Sequence, residues 1–174
     1  GSEYKSVFAV ILGTGVGAGY SVNKKIIVGP NKLTGEWGQN PIPGPMDEYE
    51  KSVKRHCGRV GAVEVFLSGP GLENYYEHIT KTKISSRDIV SLYKENDSVA
   101  GEVMDVYFER IARSFSTFVN ILDPDVIVCG GGMSEIDEIY DEVPKRIIPY
   151  IASNFFLTPI VKATHGSSSG VRGA

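Results

Sequence analysis

Glycine placement constrains this chain more than any other feature of its sequence. Thirteen of its 20 glycines fall within residues 1–71, and only Gly101 lies between Leu72 and Cys129. Glycine inside a helix costs about 1 kcal/mol relative to alanine. The glycine-poor stretch is therefore read as a helical body, and the front as strands, turns and loops. Tyr4–Leu12 reads as a strand, apolar enough to be buried on both faces. The turn Gly13-Thr14-Gly15-Val16-Gly17 follows. Ala18–Val22 and Lys25–Val28 then complete a β-meander. Residues 29–61 carry Pro30, Pro41, Pro43 and Pro45 and read as a long loop, a length that is usually functional.

Helices are expected over Ala62–Leu67, Gly71–Ile79 and Ile89–Tyr93, the last behind the capping residues Ser85–Asp88. The clearest helix is Val99–Leu122. There Phe108, Ile111, Phe115, Phe118 and Leu122 step by three and four along one face, and Asp123-Pro124-Asp125 ends the run. Val126–Val128 reads as a buried strand and Gly130-Gly131-Gly132 as a second glycine turn. A polar helix over Ser134–Val143, a further helix over Lys145–Ala152 and a strand at Pro159–Ala163 complete the pattern. Ser167–Ser169 reads as the cap of a helix starting near Val171. Strands followed by helices, then alternating strands and helices, predict a mixed α/β layer fold.

Composition excludes several function classes. A net charge of −3 argues against a binder of nucleic-acid backbones. The longest apolar runs, such as Val7–Leu12, fall far below the roughly 20 residues of a membrane span. Cys57 and Cys129 cannot build a disulfide framework. With no signal-peptide pattern at the start, a cytoplasmic protein is the expectation. His56 and His165 sit in loop-like segments and His78 closes a helical one. None shows catalytic or metal-type spacing.

The two glycine turns carry the chemistry. Gly13, Gly15 and Gly17 let backbone N–H groups approach an oxyanion, and the Thr14 hydroxyl can add a hydrogen bond. A plain hairpin turn explains the same residues. No GxxxxGK[ST] or GxGxxG occurs here, and strands rather than a helix follow. Gly130, Gly131 and Gly132 lie at the carboxyl end of a parallel-type strand, where α/β folds place ligands. A planar base or ribose fits against such a flat backbone. A tight strand-to-helix connection is the simpler alternative.

Thr34-Gly35-Glu36-Trp37-Gly38-Gln39-Asn40-Pro41 closely resembles the GEWGHNP signature of the ROK family of repressors, open reading frames and sugar kinases. Cys57-Gly58-Arg59-Val60-Gly61-Ala62-Val63-Glu64 resembles that family's CxCGxxGCxE signature. Leu12–Gly17 is similar to its second phosphate motif, Val128–Met133 to its adenosine motif, and Ser168–Ala174 to its ending. The resemblance implies a ribonuclease H-like, actin/hexokinase-type fold, with a mixed sheet and flanking helices. It implies that residues 1–174 are the larger, second domain of a two-domain sugar kinase. The first domain would carry DxGxT and an Asn-Asp pair whose aspartate is the general base; no DxGxT and no matching Asn-Asp pair occurs here. Negligible kinase activity is therefore expected of these residues alone.

Carried over by position, Gly13, Thr14, Gly15 and Gly17 would bind the phosphates of ATP, accompanied by Mg2+, and Gly130, Gly131 and Gly132 would line the adenosine. Glu36, Gln39 and Glu64 would bind the sugar, a hexose or N-acetylhexosamine. A loop-surface ion pair for Glu36 and a helix-face charge for Glu64 are the bland alternatives. Trp37 would stack on the sugar or anchor the loop. A homodimer through this domain is also implied.

The departures centre on zinc. The family's ligand histidine is Gln39 here, and its three cysteines are Arg55, Cys57 and Ala62. A structural zinc is not expected, because one ligand of four survives. Without that metal, the Gln39–Gly61 loop is expected to be loose. Gly166-Ser167 stands where the family has Gly-Asp. Three functions follow from the resemblance: an ATP-dependent sugar kinase, a sugar-sensing repressor whose DNA-binding part lies elsewhere, or a non-catalytic sugar-binding relative. Two intact glycine turns favour the first.

Overall fold

A computed structural model describes residues 3–55 and 57–164 of the chain. His56, His165, the Gly166-Ser167 pair, the Ser167–Ser169 cap and the helix expected near Val171 lie outside the described residues. The strands are β1 (Ser6–Leu12), β2 (Val16–Val22), β3 (Lys25–Ile26), β4 (Val126–Gly130) and β5 (Ile160–Lys162). They form one sheet in the order β3-β2-β1-β4-β5. β1 pairs antiparallel with β2 and parallel with β4, and β4 pairs parallel with β5. The sheet is therefore mixed. The turn after β1 and the turn after β4 emerge side by side, because Ile11 pairs with Gly17 on one side and with Gly130 on the other.

β1 buries Phe8, Val10 and Leu12, while Val7, Ala9 and Ile11 on its other face are half-buried. The expectation of two buried faces is corrected accordingly. β3 is shorter than expected, ending at Ile26 before the exposed Ile27 and Val28.

The helices are α1 (Glu48–Ser52), α2 (Glu64–Leu67), α3 (Gly69–Thr80), α4 (Ser86–Lys94), α5 (Ser98–Leu122) and α6 (Ile139–Arg146). α5 is the central one. Asp97 caps it by accepting the Ala100 N–H at 2.8 Å, and Asp123 ends it with φ 41°. Phe108, Ile111, Phe115 and Phe118 are buried along its apolar face. The Phe118 ring stacks on Phe8 at 4.0 Å between centroids, which joins α5 to β1.

Two parts of the sequence reading are corrected here. Residues 29–61 are not structureless: they hold a 3-10 turn at Glu36–Gln39 and the helix α1. Trp37 is buried edge-on against Phe115 and Phe118, so it anchors this segment to α5. The backbone also lies against β2. A Cβ at Gly35 (φ 93°) would fall 1.8 Å from the Ala18 oxygen, and one at Gly38 2.3 Å from the Val16 oxygen. The second correction concerns residues 132–152. A 3-10 turn (Gly132–Glu135) precedes α6, Pro144 lies inside α6, and only a 3-10 turn (Ile148–Tyr150) follows. Gly131 directs the chain into the first of these turns, and Ser134 closes it by donating from both its N–H and its hydroxyl to the Gly131 oxygen.

Candidate functional site

The sheet brings the two glycine turns to one place. Gly13 and Thr14, Gly131 and Gly132 line a common cavity of about 690 Å³. Its remaining walls include Gly69 and Pro70 at the start of α3, Arg87 on α4, and Met133. The Gly69 N–H donates to the Gly13 oxygen at 2.9 Å, so α3 begins against the first turn. Ser68 caps α3 by accepting the Gly71 N–H at 3.2 Å. The positive end of α3 thus faces the cavity beside the exposed Thr14. Glu73 accepts the Ser86 N–H at 2.9 Å and joins α3 to α4.

Gly131 is the conformational hinge of the second turn. Its φ of 89° and ψ of 170° belong to a region that is essentially glycine-only. A Cβ there would lie 2.4 Å from the Leu12 oxygen. Gly132 has open space at the same position. Gly131→Ala is therefore expected to cost about 1–3 kcal/mol of backbone strain and to push the two cavity walls apart. Gly132→Ala is expected to stay within about 0.5 kcal/mol of wild type. Urea unfolding of the two variants side by side checks this.

The remaining predicted residues take other places. Gly17 lies within β2 and Gly130 within β4, at the roots of the two turns. Gly15 faces α2: a Cβ there would lie 3.1 Å from Glu64 Oε2. The Val16 N–H donates to the same oxygen at 3.3 Å. Glu64, at the start of α2, therefore sits directly on the turn whose first residues line the large cavity.

Gln39 joins this group through a residue the sequence reading counted only as a lost metal ligand. Arg55 donates from Nη2 to Glu64 Oε1 at 3.0 Å, and from Nη1 to Gln39 Oε1. Its side chain is 14% exposed. Gln39 also lines a second cavity of about 570 Å³, together with the exposed Glu36 and with Asn40 and Arg59. Glu36 and Gln39 thus share the second cavity, and Arg55 joins Gln39 to Glu64 on the Gly13–Gly17 turn.

The Gln39–Gly61 segment is correspondingly cross-linked, which corrects the expectation that nothing replaces the metal's tie. Besides Arg55, the Gly61 N–H donates to the Val53 oxygen at 3.1 Å and the Ile42 N–H to the Gly61 oxygen at 2.7 Å. The cysteines differ sharply. Burial pushes the Cys129 thiol up to about 12. Cys57 is exposed, and a hydrogen bond from the Arg59 backbone, with the Arg55 and Arg59 charges, holds its thiol below the usual value. The His78 ring packs tilted against Tyr49, 4.7 Å between centroids. No helix among the described residues is long and apolar enough to cross a membrane.

Comparison with known proteins bears on the family and the fold. The chain is 38% identical over 173 residues to an N-acetyl-D-glucosamine kinase of Vibrio atlanticus, covering 97% of this chain and 57% of that protein. It is 39% identical over 176 residues to an N-acetyl-D-glucosamine kinase of Vibrio cholerae, covering 99% and 58%. The chain thus spans somewhat over half the length of these curated relatives. Among solved structures, a ROK family glucokinase from Streptomyces griseus, in complex with glucose and AMPPNP, superposes with a TM-score of 0.83 at 20% identity, covering 98% of this chain and 59% of that one. The mixed sheet with flanking helices is the ribonuclease H-like, actin/hexokinase-type fold. The ROK family model matches residues 1–174. Two glycine turns sharing one cavity, a signature glutamate seated on the first of them, and a family match over the whole length place this chain in the ROK family.

Proposed function

We propose that this chain is the nucleotide- and sugar-gripping second domain of an ATP-dependent sugar kinase, with an N-acetylhexosamine as its first candidate substrate. One observation carries the reading: Glu64 sits on the same Gly13–Gly17 turn whose Gly13 and Thr14 line the cavity shared with Gly131 and Gly132. A sugar held by Glu64 and a nucleotide in that cavity are neighbours across one short turn. The likeness to curated N-acetyl-D-glucosamine kinases supports the choice of sugar.

In this reading the Gly131-Gly132 backbone supports the adenosine. Gly13 and Thr14 hold the phosphates, with the positive end of the α3 dipole favouring their charge. Glu64 accepts hydrogen bonds from sugar hydroxyls, and Gln39 and Glu36 extend the grip. Phosphoryl transfer needs in-line positioning and neutralisation of charge more than covalent chemistry from the protein. Mg2+ would arrive on the nucleotide's phosphates. Thr14, Glu73, Ser86 and Glu135 are the hard oxygen donors lining the cavity that suit it, and the ion would supply charge neutralisation. The base that removes the sugar proton belongs to the first domain of the whole protein.

Binding of a non-hydrolysable ATP analogue and of N-acetyl-D-glucosamine, each measured by calorimetry on the full-length protein, tests this. Binding of both is the expected result. Sugar binding without nucleotide binding would make the protein a sensor instead.

A further inference from the structure

The zinc site of the family does not fit this chain. Of the four positions, Ala62 is buried and has no donor atom. Arg55 places a permanent cation where a metal ion would need a thiolate. Its Nη1 reaches Gln39 and lies 3.8 Å from Cys57 Sγ. No three His, Cys, Asp or Glu side chains gather into a ligand set among the described residues.

We propose that Arg55 is the positioning residue of the sugar site, its guanidinium performing the cross-linking otherwise left to a metal. The proposal rests on the reading of Glu64 and Gln39 as sugar contacts. Glu64 enters the site held on both sides, by the Val16 N–H on Oε2 and by Arg55 on Oε1. Each oxygen keeps lone-pair capacity for a hydroxyl. Because the guanidinium takes the Gln39 oxygen, the Gln39 amide nitrogen is left with its two donors to offer. Arg55 therefore fixes one side chain as an acceptor and the other as a donor. Acceptor beside donor matches a sugar that presents a hydroxyl next to a carbonyl, as an N-acetylhexosamine does.

A guanidinium suits this role because its rigid planar fork reaches two acceptors at once with little further loss of side-chain freedom. A lysine ammonium is a point charge on a flexible stem and cannot hold both in the same way. Arg55 also closes the chain on itself: the segment between Gln39 and Glu64 is tied at both ends to its own middle.

The test uses the full-length protein and the variants Arg55→Ala and Arg55→Lys. Arg55→Ala is expected to raise the N-acetyl-D-glucosamine KM by about 10–100-fold, the size of a lost charged hydrogen bond. The ATP KM and the kcat at saturating sugar should change by less than about 3-fold. Guanidinium added to Arg55→Ala should restore part of the sugar affinity, and Arg55→Lys should fall between the two. Without ligand, the amides of Ile42 and Gly61 should exchange faster in Arg55→Ala. An unchanged sugar KM in Arg55→Ala would overturn the positioning role alone, and so would a raised KM that guanidinium does not lower. If the wild-type protein binds no hexose, the sugar-site reading itself fails and takes the positioning role with it.

Discussion

Glu64→Ala in the full-length protein is expected to lower kcat/KM for the sugar by about 10²- to 10⁴-fold. A hydrogen bond to a charged group contributes about 1.5–3 kcal/mol, and the carboxylate is placed to accept two. The same replacement frees Arg55 from its ion pair and the Val16 N–H from its acceptor. The turn at Gly13–Gly17 therefore loses this hydrogen bond to α2, and the ATP KM should rise modestly as well. Glu64→Gln separates the two effects. It keeps an oxygen for Val16 but replaces one acceptor with a donor that opposes Arg55. Its sugar KM should stay high while its ATP KM returns towards wild type. Steady-state kinetics with each substrate varied in turn reads both.

The largest stability effect is expected at Glu50, which lines neither cavity. Its carboxylate is 1% exposed. It accepts from Arg110 Nε at 2.9 Å and from Arg113 Nη2 at 2.8 Å to each oxygen. Arg110, with its side chain 3% exposed, also reaches Asp47 at 3.3 Å. Its guanidinium lies 4.2 Å from the Tyr75 ring centre and 5.1 Å from that of Phe66. Glu50→Ala leaves this buried cation with only the half-exposed Asp47, and removing one member of a buried pair costs about 3–5 kcal/mol. That is a large share of the roughly 5–15 kcal/mol that holds a domain folded. The double variant Glu50→Ala with Arg110→Ala should lose less than the sum of the two single losses, because Arg110 is no longer stranded and only Arg113 is left without its carboxylate. Urea unfolding of the four proteins in the cycle measures this. Additive losses would show that the pair is not coupled.

The two predictions mark what the sequence could and could not disclose. The β-meander, the α5 stripe and the second glycine turn were legible because each rests on local periodicity or on glycine's special conformations. The convergence of Gly13 and Gly131 on one cavity was legible only through the parallel-type character of β4 and the order of the motifs. α1 was not legible. It is five residues long, and it is held by a capping box between Asp47 and Glu50 and by arginines some 60 positions away. No local pattern records the tie to the arginines, whereas the Asp47-x-x-Glu50 spacing is a local capping signal that could have marked the helix start. Arg55 was hidden for a similar reason. As a departure from a motif it reads as a loss, and only its distance to Glu64 shows a gain. The polar run around Glu135–Glu142 invites a helix by composition. The chain turns at Gly132–Glu135 first, because Ser134 bonds back to Gly131, and α6 starts only at Ile139.

In the proposed function one turn carries both grips, nucleotide on one side and sugar on the other. Transfer of labelled γ-phosphate from ATP to N-acetyl-D-glucosamine by the full-length protein, compared between wild type and Glu64→Ala, tests it most directly. Sugar-dependent transfer by wild type and its near-complete loss in the variant are expected. Transfer that persists undiminished in Glu64→Ala, or a wild type that turns over no sugar at all, would contradict it.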